Sequence, residues 1–127
     1  MIEDMLIMVD TQDRPLGPCK KMQAHQSARL HRAFSVFLCC DGNMLLQRRA
    51  AGKYHSGGLW ANACCSHPRW GETLGEAVTR RLWEELNICP PVNELFSFLY
   101  MAEFSNGLSE YELDHVFLGE CDQIPDF

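Results

Sequence analysis

The chain has 127 residues, 46% hydrophobic and 22% charged, with a net charge of −6. That composition suits one globular domain with a real core, and the negative charge argues against a broad nucleic-acid surface, leaving room only for local basic clusters that grip a small anion. No apolar run reaches the roughly eighteen residues that a membrane span requires. The acidic start "MIEDMLIMVD" lacks the basic opening of a signal peptide, so a cytoplasmic protein is expected.

The elements follow in chain order. "MLIMVD" predicts a strand over Met5 to Val9, ending in a polar turn, "DTQDRPLGP". "KKMQAHQSARLH" has no clear period. "RAFSVFLCC" is rich in apolar and aromatic residues and predicts a strand; "DGN", Asp41 to Asn43, is a turn signal, and "MLLQRRA" returns as the hairpin partner. "GKYHSGG" is a glycine-rich loop, and "LWANACC" a further strand. "ETLGEAVTRRLWEELNI" is the clearest helix, with Leu74, Val78, Leu82 and Leu86 recurring on one face, and "CPP" stops it. "ELFSFLYMAEF" and "EYELDHVFLGE" predict two strands joined by "SNG". Repeats, low-complexity tracts and linkers are absent, so residues 1–127 read as a single α+β domain, a mixed sheet sandwich around one long helix.

Seven cysteines, at 19, 39, 40, 64, 65, 89 and 121, are odd in number and irregular in spacing. In a reducing compartment they read as free, mostly buried thiols, one of them reactive. "ANACCSHPRWGE" poses the question of which. Adjacent residues on a strand point to opposite faces, so one of Cys64 and Cys65 is expected in the core. A disulfide between neighbours is strained, and structural zinc calls for more thiolates at regular spacing. The other reading has Cys65 facing a pocket together with His67, two residues on, where a thiol near basic groups can trade protons.

Charge-bearing side chains offer two patterns. Arg81 and Glu85 share a helix face, which can be a solvated i,i+4 pair. The segment also matches a worn Nudix box, whose ideal form is G-x5-E-x7-R-E-U-x-E-E-x-G-U. Glu72, Arg80, Leu82, Glu84, Glu85 and Ile88 agree with it, whereas Ser66, Arg81 and Asn87 depart. With Arg81 in place of a metal-collecting glutamate, plain diphosphate hydrolysis is disfavoured. The second pattern is His25, His31 and His67, with Glu110 and Glu112 on one side of a strand by period two. Three imidazoles and two carboxylates can fill most of an octahedral shell around a divalent cation, although no local ligand motif such as C-x2-C or H-E-x-x-H accompanies them. His55 and His115 have no assigned role.

"RLHRAFS", "LLQRRAAGK", "LWANACCSHP", "RRLWEEL" and "SEYELDHVF" together resemble type I isopentenyl diphosphate isomerase, a Nudix-fold family, from about Met5 to Phe117. The resemblance implies interconversion of isopentenyl and dimethylallyl diphosphate, and a Nudix-like mixed sheet with a degenerate Nudix box. It implies His25, His31, His67, Glu110 and Glu112 as ligands of one divalent cation (manganese, magnesium or zinc), and a magnesium ion on the diphosphate near Glu85. Cys65 and Glu112 become the acid–base pair on opposite faces of the alkene, and Tyr100 the group that assists proton delivery. Lys21, Arg49, Lys53 and Arg81 become the diphosphate grip, and Trp60 a candidate wall of a dry pocket, with a buried structural tryptophan as the other reading. The expected partner is a small isoprenoid diphosphate, with no nucleic acid or membrane, and the chain is expected to be a monomer. The family continues past "CDQIPDF" with further helix and a tryptophan that helps cover the active site, so this chain is expected to carry the ligands without that cover. Two other readings stay open: a Nudix hydrolase of another diphosphate, and a non-catalytic diphosphate-binding domain.

Overall fold

A computed structural model describes residues 5–40, 42–45, 47–48, 60–61 and 64–121, with the backbone alone described at 47, 48, 60 and 61. Strand β1, Met5–Val9, pairs antiparallel with β2, Pro15–Lys20. Between them Asp10 Oδ1 accepts from the amides of Gln12 and Arg14 at 2.9 and 3.0 Å, a local aspartate turn. The predicted turn therefore ends at Arg14. The rest of "DTQDRPLGP" is strand, and its prolines are tolerated because β2 lies at the sheet edge, where an amide need not donate to a neighbour. Helix α1, Lys21–Gln26, follows directly. It has no side-chain cap at its N-terminus and is tied instead to the far end of the chain: Ser109 Oγ donates to the His25 carbonyl at 3.0 Å.

Strand β3, His31–Cys40, organises the sheet. One edge pairs in parallel with β9, Ser109–Cys121, along its whole length, from His31 opposite Glu112 to Cys40 opposite Cys121. Its other edge meets β1 at His31, then β7, Cys64–Ser66, and finally β4, Asn43–Leu45, all antiparallel. Strand β8, Val92–Glu103, closes the order β2-β1-β3-β9-β8. The predicted hairpin partner "MLLQRRA" is divided: β4 pairs with β3, while β5, Gln47–Arg48, pairs with β6, Trp60–Ala61, in a separate two-stranded sheet. The single strand expected over "LWANACC" is likewise divided into β6 and β7.

Helix α2, Leu74–Leu86, starts at a capping box in which Thr73 and Glu76 satisfy each other's backbone amides. It ends at Asn87, which adopts the left-handed conformation at φ 54°, a role asparagine tolerates, and Pro90 and Pro91 follow. Val78, Leu82 and Leu86 are buried as the four-residue spacing predicts, with Leu74 packed at their margin. They seal against Phe34, Val36 and Leu38 of β3 and Phe117 of β9, burial worth about 1.5–3 kcal/mol for each large side chain. Residues 34, 36 and 38 share one face by period two, so α2 covers one side of the sheet. His31 and Ser35 point to the other side.

One cysteine expectation is corrected. Cys40 and Cys121 form a disulfide, while Cys19, Cys39, Cys64, Cys65 and Cys89 are free. The two residues are register partners on adjacent parallel strands, with Cα atoms 5.1 Å apart, inside the range a disulfide spans. Their separation of 81 residues hid the pairing from a reading of local spacing.

Candidate active site

The sheet face away from α2 collects the chemistry. His31 opens β3 and lies opposite Glu112 in register. His67 follows β7 directly. Their nitrogens and a Glu112 carboxylate oxygen lie within 4.8 Å of one another, a grouping able to hold a metal ion. His67 Nε2 is 2.9 Å from Glu112 Oε2, and His31 Nε2 is 3.4 Å from the same oxygen. His25 stands beside them on α1, its ring 5.7 Å from that of His31 and 6.0 Å from that of His67.

The backbone presets the ring nitrogens. His31 Nδ1 lies 2.9 Å from the Arg29 carbonyl, and His25 Nδ1 lies 3.1 Å from the Ser109 carbonyl. A carbonyl only accepts, so each Nδ1 carries a proton and each Nε2 is the nitrogen turned towards the cluster, the arrangement of metal-binding histidine. His31 Nε2 is buried with no hydrogen bond, a position that costs free energy unless an ion or another group meets it. Burial, then the neighbouring imidazoles His67 and His31, push His25 down to about 4. Burial also lowers His67, against the pull of Glu112. Burial would raise Glu112, yet its contacts with His31 and His67 hold it below the usual carboxylate range. Two imidazoles biased towards neutrality beside an ionised carboxylate form a donor set suited to a divalent cation.

The remaining expected residues fall into three groups. Cys65 faces Ser35 across the β3–β7 pairing, whereas Cys64 is packed in the core under α2. Period two therefore separates the cysteines as expected. Desolvation pushes the Cys65 thiol up to about 12, with Glu112, Asp114 and Glu110 adding to the rise. Tyr100 sits opposite Glu112 in the antiparallel β8–β9 register, so both side chains share a face. Its hydroxyl is raised by burial and by Glu110, Glu112 and Cys65. Glu110 is half-buried on the same strand face but stands outside the three-residue cluster. Lys21 is exposed at the start of α1, near enough that its charge lowers both His25 and His67.

Arg81 and Glu85 both belong to α2. On α2, Arg81 pairs with Glu85 and, at 3.3 Å, with Glu84. Both act electrostatically on the buried Cys64. Arg80 joins Glu72 at 2.7 Å and Glu84 at 2.9 Å, linking the matching positions of the Nudix box through one guanidinium. Arg49 and Lys53 lie outside the described residues, as does the side chain of Trp60.

Two participants escaped the sequence reading. Asp114 is buried on β9, where desolvation leads a rise to about 6. Ser35 donates to Asp114 Oδ2 at 2.8 Å and lies 3.7 Å from Cys65 Sγ. Asp114 continues the period-two row of Glu110 and Glu112, a signal present in the sequence; Ser35 carried none.

Chain comparison agrees with the fold. Residues 29–126 match the NUDIX domain model, which makes this a NUDIX-domain protein. DR0079 from Deinococcus radiodurans shares the fold, with a TM-score of 0.75 at 24% identity, over 98% of this chain and 76% of that one. Isopentenyl-diphosphate Delta-isomerase 2 of Photorhabdus laumondii is 50% identical over 98% of this chain and 71% of its own length. The isopentenyl-diphosphate Delta-isomerase of Burkholderia multivorans is 50% identical over 99% of this chain and 73% of its own. The chain belongs to the isopentenyl-diphosphate Delta-isomerase family. Among the described residues, no helix is long and apolar enough to cross a membrane.

Proposed function

We propose that this chain interconverts isopentenyl and dimethylallyl diphosphate, as a monomer in the cytoplasm. The observation that carries the reading is the convergence of His31, His67 and Glu112 on the sheet face that also presents Cys65. One proton is added to the terminal alkene carbon, a tertiary carbocation forms, and one proton leaves the adjacent methylene, so the reaction is neutral in protons. Two carriers are therefore required, one for each face of the alkene. Cys65 and Glu112 come from strands on either side of β3. Cys65 stays protonated near neutrality because its thiol is raised, which suits a donor. Glu112 stays ionised, which suits an acceptor. Tyr100, opposite Glu112, also keeps its proton and assists delivery.

His25, His31, His67, Glu110 and Glu112 are the residues that would hold manganese, magnesium or zinc, and Glu85 a magnesium ion. When bound, these ions supply positive charge that holds carboxylates ionised and neutralises the diphosphate. Lys21, Arg49, Lys53 and Arg81 grip that diphosphate, and Trp60 shields the carbocation from water. Arg81 in place of a box glutamate fits an enzyme that holds a diphosphate without cleaving it.

The test is incubation with isopentenyl diphosphate and a divalent ion in heavy water, read by NMR. Dimethylallyl diphosphate carrying deuterium is expected. Cys65→Ser should slow turnover by about 10²–10⁴-fold, while Cys64→Ser chiefly lowers stability. Phosphate release would point to a hydrolase, binding without turnover to a diphosphate-binding domain, and equal loss in both folded cysteine variants would remove the role given to Cys65.

A further inference from the structure

We propose that Ser35 and Asp114 are positioning residues for Cys65. This rests on the isomerase reading for its consequence, but its geometry stands apart from it. Ser35 is buried in the middle of β3 and is the register partner of Cys65 on β7. Asp114 is buried on β9, along the opposite edge of β3. The three side chains thus span three neighbouring strands on one sheet face, the face that carries Glu112.

The hydrogen-bond inventory sets the direction of the chain. A serine hydroxyl has one proton to give and lone pairs to receive. Ser35 gives its proton to Asp114 Oδ2 at 2.8 Å. Towards Cys65 Sγ, 3.7 Å away, its oxygen is then left as an acceptor. The only group that can complete that contact is the Cys65 S–H. Ser35 therefore fixes the rotamer of the sulfur. Asp114 acts one step further out, holding the hydroxyl in the orientation that makes Ser35 an acceptor. Both residues are buried and act through Cys65. Their effect is on where the sulfur stands when the alkene arrives, and a sulfur free to rotate loses the alignment on which proton transfer depends.

The experiment combines steady-state kinetics on isopentenyl diphosphate with alkylation of Cys65 by iodoacetamide at one pH, followed by peptide mass spectrometry. Ser35→Ala should lower kcat about ten-fold or more while KM stays within about two-fold. Asp114→Leu, which removes the acceptor, should reproduce that pattern, and Asp114→Asn, which keeps an acceptor oxygen, should retain most of kcat. Ser35→Ala should also speed Cys65 alkylation at least about three-fold, because the sulfur is no longer held against Ser35 and turns more freely to the reagent. Wild-type kcat in Ser35→Ala, or unchanged alkylation of Cys65, overturns the proposal. So does a fall in kcat that Asp114→Asn shares in full. Wild-type turnover in the same assay tests the isomerase reading separately: without it the activity assignment fails, and the alkylation rates still decide the placement of Ser35.

Discussion

Asp114 gives the most quantitative handle on the site. Burial is the first cause of its rise to about 6, while an aspartate in the unfolded chain titrates near 3.9. The folded state therefore binds this proton more tightly than the unfolded state does. Stability contributed by the neutral form is fully present below about pH 4 and is lost as pH rises towards and past 6. A difference of about two units corresponds to about 3 kcal/mol once the group is ionised in both states. Asp114→Asn is neutral throughout and escapes that loss. The variant-minus-wild-type stability should thus grow with pH, by about 2 kcal/mol between pH 4.5 and pH 8. Any constant offset from the amide cancels in that difference. The assay is urea unfolding at several pH values with EDTA present, because a cation beside Glu112 would stabilise the ionised form and shrink the effect. A flat difference across the range would refute the burial argument, and a difference that falls with pH would reverse its sign.

Three further outcomes follow from the same geometry. Leu82 is fully buried under α2, so Leu82→Ala should cost about 2–5 kcal/mol in denaturant unfolding; a loss under 1 kcal/mol would mean that the helix is not seated on β3 as described. Manganese or zinc at about 100 times its dissociation constant should stabilise the wild type by about 2.7 kcal/mol, and His31→Gln, which removes the Nε2 that faces Glu112, should abolish most of that gain in a thermal melt. Arg81→Ala should weaken substrate affinity at fixed magnesium far more than it lowers Tm, and unchanged affinity would leave Arg81 as a partner of Glu84 and Glu85 alone.

The helix was legible because four apolar residues at four-residue spacing leave little else to read. β2 was not, because Pro15, Gly17 and Pro18 signal a turn wherever the neighbouring strand on each side is unknown. Only the pairing with β1 shows that the prolines sit on an outer edge. α1, at six residues, is too short to display a period. The candidate donors were legible as residue types, with Glu110 and Glu112 placed by alternation. What brings His31 and His67 to Glu112 is the order β7, β3, β9, and no local spacing encodes it.

That strand order also explains why two adjacent cysteines have different fates. β3 alternates Phe34, Val36 and Leu38 towards α2 with Ala33 and Ser35 towards the open face. β7 is locked to it in register, Cys64 against Val36 and Cys65 against Ser35. Cys64 therefore joins the apolar cluster, and Cys65 joins the row that holds Ser35, Asp114 and Glu112. A slip of one residue in the β3–β7 pairing would exchange the two thiols, placing Cys65 in the core. Cys64, packed with Phe34, Val36 and Leu38, opposes that slip, since the slip would turn Cys64 out of the core and bring Cys65 into it. The apolar packing beneath α2 is thus what aims the Cys65 thiol, and the core and the face that gathers Ser35, Asp114 and Glu112 are specified by one and the same register.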